Sequence, residues 1–268
     1  MKLAIICTGG GMRCAYSGGA LVALAKELNI TNPDIVIGIS GGAGSLAYYL
    51  AGQYNAIETI WTDLLANEEF ISLRLKRPIL DIDYLIDTVF KTQSLLDTEK
   101  ITSTTTDWYF PAMDSGTQKQ IYFFSKKDHF DIFEVLRAAM AVPILYGKKV
   151  LLGKFLYRDG DLGLTVGDAI NKAQSLGATH IIIIESHLEN FRVRSIDRFF
   201  KNKFKTSPLT ENIPPTTHQP HILRIQNTHS PTGLLTHTKK KLRATFDAGY
   251  SDIKSNSDLK NFLSITKQ

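Results

Sequence analysis

Three short runs of this chain carry residue types that could do chemistry, and each follows an apolar run that reads as a strand. Gly38-Ile39-Ser40-Gly41-Gly42 fits the spacing G-x-S-x-G. A serine at a sharp turn from a buried strand into a helix presents its hydroxyl for nucleophilic attack. Glycines at 38 and 42 suit that turn, because side chains there would collide with each other or with the helix. A plain glycine-rich turn with an N-capping serine fits the same residues. Gly9-Gly10-Gly11-Met12-Arg13-Cys14 follows the first strand. Consecutive glycines let backbone N–H groups converge, and a helix start behind them adds partial positive charge. Such a loop would hold a phosphate or a developing oxyanion. The dinucleotide fingerprint fails because Cys14 stands at its last glycine and no acid ends the second strand. The phosphate loop G-x-x-x-x-G-K-[ST] is absent.

The third run is Arg158-Asp159-Gly160-Asp161. A serine nucleophile needs a base within hydrogen-bond reach, and desolvation makes a carboxylate a better one. A tight Asp-Gly turn accounts for the same residues. His187, His229 and His237 follow Ser40 and Asp159 in the chain order of a Ser–Asp–His esterase of α/β-hydrolase type. None has a distinguishing local pattern. Cys14, beside Arg13 at a helix start, is a further candidate nucleophile.

The elements that must position these runs alternate. Leu3–Cys7 and Ile35–Ile39 read as buried strands, and Gly18–Leu28 and the segment from Gly41 as helices. Strand, helix, strand, helix points to a parallel sheet. From about 53 to 120 the pattern loosens into an expected insertion over one end of the sheet. Within it Ile82, Leu85, Ile86, Val89 and Phe90 mark an amphipathic helix. Ile121–Phe124 reads as a strand, Asp131–Met140 as a helix, and Val150–Tyr157 as strand-like with a turn at Gly153-Lys154. Gly167–Ser175 reads as a helix. His180–Glu185, with four consecutive isoleucines, is the clearest buried strand. Ile222–Ile225 is a last strand, and a helical tail carries Leu242, Phe246, Tyr250 and Ile253 on one stripe.

The chain has 268 residues, 43% hydrophobic and 21% charged, which suits one soluble domain, 1–268, with an insertion. Two cysteines, Cys7 and Cys14, exclude a disulfide scaffold and a multi-cysteine zinc site. The longest weakly polar run, 35–51, is too rich in Gly and Ser to span a lipid bilayer. The start lacks the regions of a signal peptide, so a cytoplasmic location is expected. Residues 191–205 set six basic side chains against the single acid Asp197, which equals the whole net charge of +5. A global nucleic-acid footprint is thereby excluded. Those basic residues are interleaved with Phe191, Phe199, Phe200 and Phe204, which suits an anionic membrane surface. A solvated helix with one buried face suits them too. Residues 206–220 hold four prolines and read as an exposed loop.

Taken in order, the three runs resemble the patatin-like phospholipases. Arg137-Ala138-Ala139-Met140-Ala141-Val142-Pro143 is similar to that family's small-residue helix ending in proline. The resemblance covers roughly Leu3 to Glu185. It looks closest to a bacterial branch with segments like Ile60-Trp61-Thr62-Asp63 and Leu80-Asp81-Ile82-Asp83-Tyr84. It implies a three-layer α/β/α fold with a mainly parallel central sheet and a helical insertion. It implies hydrolysis of fatty-acyl esters of phospholipids, lysophospholipids or related lipids by a Ser40–Asp159 dyad without histidine. Gly9, Gly10, Gly11, Met12 and Arg13 would form the oxyanion hole, with Gly38, Gly42 and Gly160 supporting elbow and dyad. The apolar residues around Trp61 to Phe90 could shelter an acyl chain. No metal or organic cofactor is implied. Peripheral contact with an anionic membrane would run through Arg192, Arg194, Arg198 and Lys201. Three residues depart from the family pattern: Cys14 and Asp161 stand at small-residue positions, and Thr165 where proline is frequent. A β-carbon at 14 would strain the loop if that position needed positive φ. A lipid-binding module of the same fold with weak catalysis is the remaining alternative.

Overall fold

A computed structural model describes residues 1–72, 78–116, 120–186 and 219–264. His187, the basic stretch 191–205 with Arg192, Arg194, Arg198 and Lys201, and the loop 206–218 lie outside the described residues.

β1 (Leu3–Cys7) is apolar at every position because both of its faces are covered. Parallel to it run β2 (Ile35–Gly38) on one side and β7 (His180–Glu185) on the other. β8 (His221–Gln226) continues beyond β7, and β3 (Asp107–Asp114) beyond β2, also in parallel. β4 (Ile121–Phe124), β5 (Val150–Leu152) and β6 (Phe155–Asp159) complete the sheet in antiparallel sense. Four of the seven pairings are parallel, so the sheet is mainly parallel as expected.

Side-chain alternation along each strand builds two cores. Leu3, Ile5 and Cys7 of β1 and Ile182 and Ile184 of β7 face one core. Here pack α1 (Ala15–Leu28), α2 (Gly41–Leu50), α3 (Tyr54–Thr59), α4 (Thr98–Ser103), α5 (Ile132–Ala139) and α7 (Lys239–Lys254). Ala4, Ile6, Ile181 and Ile183 face the other core, closed by Ala169 and Ala173 of α6 (Val166–Ser175). The result is the α/β/α sandwich. α8 (Ser257–Ser264) follows α7. α1 and α7 cross backbone to backbone. A β-carbon at Gly19 would lie 1.9 Å from the Phe246 carbonyl oxygen, and one at Gly249 would lie 2.0 Å from that of Tyr16.

The expected insertion is shorter than 53–120. Its helical part runs through π-helical turns at Ile60–Leu64 and Tyr84–Gln93 to α4. β3 then rejoins the central sheet beside β2. Its sequence, Asp-Trp-Tyr-Phe-Pro-Ala-Met-Asp, hides it, because a mid-run proline argues against a central strand. Pro111 stands between the residues paired with β2 and those paired with β6.

The insertion is tied down by Arg137 of α5, whose nearly buried guanidinium binds Asp83, Asp87 and Glu134. Burial alone would raise the pKa of Asp83 and of Asp87. Hydrogen bonds from Lys148 and Tyr146 to Asp83, and from Arg137 and Lys91 to Asp87, outweigh it and hold both below the ordinary carboxylate range. Folded-state values below the unfolded ones mean stabilisation that is complete above the ordinary carboxylate pKa and is lost as pH falls through the lowered values. Arg137→Met is expected to cost about 2 kcal/mol at neutral pH, a figure discounted because the three carboxylates are partly exposed. The Tm of wild type should drop steeply below about pH 4, and Arg137→Met should flatten that drop.

Candidate active site

β2 stops at Gly38 and α2 starts at Gly41, leaving Ser40 at the corner with φ 51 and ψ −128. A non-glycine residue in such a backbone is strained and persists only where its surroundings hold it. They do so by close approach. A β-carbon at Gly38 would lie 2.6 Å from Ala43 Cα, and one at Gly42 would lie 2.7 Å from the Cys7 carbonyl oxygen. Ser40 precedes α2, yet its side chain caps nothing. Its Oγ–H donates instead to Asp159 Oδ2 at 2.6 Å, with both residues buried.

Register through β3 explains how residues so far apart in sequence meet. Ile37 of β2 pairs with Tyr109, so the chain three residues on, at Ser40, comes level with Ala112. Asp159 of β6 also pairs with Ala112. β6 takes up β3 where β2 leaves it, and the serine and the carboxylate arrive at one level. Asp159 is fixed from its other side: its N–H donates to the Ala141 carbonyl at 3.1 Å, and its Oδ1 accepts the Asp161 N–H at 2.8 Å. Gly160 is required because a β-carbon there would lie 2.5 Å from the Pro111 carbonyl oxygen.

The glycine loop closes on the same point. A β-carbon at Gly9 would lie 2.9 Å from Ser40 Cβ and 2.8 Å from Asp161 Oδ2. The Met12 N–H is spent on the Leu234 carbonyl (3.1 Å) and the Arg13 N–H on that of Gly10 (3.3 Å). Arg13 Nε, buried, donates to the same Gly10 oxygen at 3.0 Å and so braces the loop from within. Among the described residues the N–H groups of Gly9, Gly10, Gly11 and Gly41 have no partner in the protein. Of the five residues of the expected anion loop, Met12 and Arg13 thus spend their amides within the protein, whereas those of Gly9 to Gly11 are left unspent among the described residues. Gly41 was not singled out by its sequence position. It directly follows the elbow serine, where an α/β-hydrolase takes one of its oxyanion donors.

Cys14 has φ −67, so its position does not demand glycine. Its thiol is fully buried, donates to the Thr8 carbonyl at 3.6 Å, and is pushed by burial up to about 12. Cys7 is pushed up likewise. A protonated, enclosed thiol is not a nucleophile. Neither cysteine should react with Ellman's reagent at pH 8 in the native protein, and both should react after unfolding in guanidinium. A fast native reaction would contradict the burial. Asp161 places its carboxylate against Gly9, at the edge of the site. Thr165, where the family often has proline, forms a capping box with Asp168 at the start of α6.

His229 and His237 are exposed, and neither lines the cavity beside Ser40. The direct Ser40–Asp159 bond leaves no imidazole between hydroxyl and carboxylate. The conventional-triad alternative therefore has no support among the described histidines.

An apolar cavity lies beside Ser40, Gly41, Gly11 and Met12 and extends to side chains of the insertion. Trp61, Phe70, Leu80, Leu85 and Phe90 of the insertion line it, together with Met140 and Val142. Trp61 is held by its Nε1–H donating to Ser45 Oγ at 2.9 Å. Among the described residues no cluster of His, Cys, Asp and Glu is arranged to hold a metal ion. Nor is any helix among them long and apolar enough to cross a membrane.

The fold thus brings the three runs together: a serine at a strand-to-helix corner, a carboxylate of an Asp-Gly turn hydrogen-bonded to it, and a glycine loop beside both. The chain belongs to the patatin-like phospholipase family, whose model matches residues 5–166. A curated relative, the uncharacterized protein YjjU of Escherichia coli (strain K12), is 26% identical over 191 residues, covering 69% of this chain and 52% of the relative. The chain thus spans about half the length of that relative. Solved structures similar to it include VipD from Legionella pneumophila (12% identity, TM-score 0.49, 95% of this chain and 67% of that one). The type III effector protein ExoU is another (14% identity, TM-score 0.42, 94% and 52%).

Proposed function

We propose that this chain is a serine acyl hydrolase that cleaves fatty-acyl esters of phospholipids, lysophospholipids or related lipids. The observation that carries the reading is the 2.6 Å Ser40–Asp159 hydrogen bond at the mouth of an apolar cavity. Ser40 Oγ attacks the acyl carbonyl carbon while its proton passes to Asp159 Oδ2. The carbonyl oxygen becomes an oxyanion and is met by the amides of Gly10 and Gly11, with Gly41 the neighbouring third donor. These donors are held in place before the substrate arrives, so little reorganisation opposes the step. Collapse expels the alcohol, which takes the proton back from Asp159. Water then attacks the acyl-serine, giving its proton to Asp159. The second tetrahedral intermediate collapses, Ser40 Oγ takes the proton back from Asp159, and the free fatty acid leaves. The cavity lined by Trp61 and Phe90 shelters the acyl chain.

The test is labelling by a fluorescent fluorophosphonate, which reacts only with an activated serine. Wild type should label, Ser40→Ala should not, and Asp159→Asn should label far more slowly. A well-folded wild type that fails to label would sink the hydrolase reading and favour a lipid-binding module.

A further inference from the structure

The segment from Ala141 to Asp159 leaves the active site and returns to it. Its ends are tied by the Asp159 N–H donating to the Ala141 carbonyl. One stem carries Met140 and Val142, which wall the cavity, and the other ends in the carboxylate that holds Ser40. Between the stems lies an edge hairpin, β5 and β6, that no described strand covers on the β5 side. Of nine exposed large hydrophobic residues among those described, four fall in this one excursion: Ile144, Leu151, Phe155 and Leu156. Chance scatter of single surface apolar residues does not concentrate them so. Residues 143–157 contain three lysines and no acid. Lys148 is paired with Asp83, whereas Lys149 and Lys154 are exposed and have no partner among the described residues.

The geometry points to residues 144–156 as a docking loop for an anionic phospholipid surface, which presents lipid to the cavity mouth. Two observations select a membrane over a protein partner. The apolar side chains stand on both faces of the hairpin. Leu151 and Leu156 form an exposed cross-strand pair on the outward face, and Phe155 is exposed at the tip of the core-facing side, beyond the buried Leu152, Val150 and Tyr157. Exposed apolar side chains on both sides of one narrow tip suit insertion into a lipid phase. Lys154 at the turn and Lys149 just before β5 are exposed and can reach phosphate groups while their stems stay with the apolar part. Ile144 adds a third feature. It is a β-branched residue at φ 69, more than half exposed. That conformation is costly for such a residue in the free chain, and it aims an apolar side chain outward beside the cavity wall. Transfer into lipid recovers that apolar area.

This proposal rests on the acyl-hydrolase reading for its purpose but is tested apart from it. The full chain carrying Ser40→Ala, which consumes no lipid, is sedimented with sucrose-loaded vesicles of phosphatidylglycerol or of phosphatidylcholine. It should bind phosphatidylglycerol more tightly. Lys149→Glu with Lys154→Glu, and separately Phe155→Ser with Leu156→Ser, should each weaken that binding about tenfold or more. Ile144→Gly should keep or raise Tm and still weaken binding, which excludes unfolding as the cause. With Ser40 restored, the surface variants should hydrolyse a water-soluble short-chain ester as wild type does and lose activity on vesicles. Unchanged vesicle binding in all variants overturns the proposal. So does a dimer dispersed by these substitutions with vesicle binding intact, which would assign the surface to a second copy of the chain. Absence of any ester hydrolysis, with vesicle binding lost in the variants as expected, would overturn the hydrolase reading and leave the docking loop standing.

Discussion

Asp159→Asn is expected to lower kcat about a thousandfold, within the range of a lost general base, while Tm stays close to that of wild type. Asparagine matches the shape of aspartate, and its Oδ1 can still accept the Asp161 N–H that now holds Asp159 at 2.8 Å. The change falls on the other oxygen. Where Oδ2 accepts the Ser40 hydroxyl, the amide presents a donor instead, and the serine proton has nowhere to go. Ser40→Ala should abolish turnover to the background of ester hydrolysis. Because the two residues act as one unit, the double variant should be no worse than Ser40→Ala alone. Initial rates on a short-chain ester, with Tm as the folding control, decide it. Retention of more than about a tenth of the activity in Asp159→Asn would mean that the base lies elsewhere.

The largest effect on stability is expected far from this chemistry, at Gly249→Ala. The new methyl would sit 2.0 Å from the Tyr16 carbonyl oxygen and 3.1 Å from the Ala20 nitrogen. Both are backbone atoms of α1 and cannot rotate aside. The helices must part instead, and α7 carries Leu242, Phe246 and Ile253 into the principal core. The expected cost is about 3 kcal/mol or more, at the upper end for overpacking. In a chain of this size that corresponds to a fall in Tm of about 10 °C. Ser251→Ala, exposed on the same helix, should change Tm little. A Gly249→Ala protein as stable as wild type would show that the two helices can separate without loss.

What the sequence made legible follows from which interactions are local. The isoleucine run of β7 reads as a buried strand because nothing polar interrupts it. β5 and β6 are foreshadowed as a turn at Gly153-Lys154 within one strand-like run. The glycine loop, the elbow and the Asp-Gly turn are each visible, because each constraint acts within a few residues. Their meeting is not visible. It depends on β3, the strand that Pro111 disguises inside the loosely patterned region. The division of labour in the anion loop is hidden for a similar reason. Leu234 takes the Met12 amide across more than two hundred residues, and no local signal marks it. Cys14 looked like a reactive thiol or a strained substitution. Its ordinary φ and complete burial, both products of tertiary packing, make it neither.

The alternation that aims Asp159 at Ser40 also restricts how this region can change length. Tyr157 and Asp159 share the face toward the principal core, and Arg158 points the other way. Adding or losing one residue between the Gly153-Lys154 turn and Asp159 would carry the carboxylate to the wrong side of the sheet. Growth in pairs at the hairpin tip would lengthen β5 and β6 together and leave the aim intact. Relatives of this chain should therefore differ in tip length by even steps. A designer grafting a longer tip for another surface has the same rule to keep.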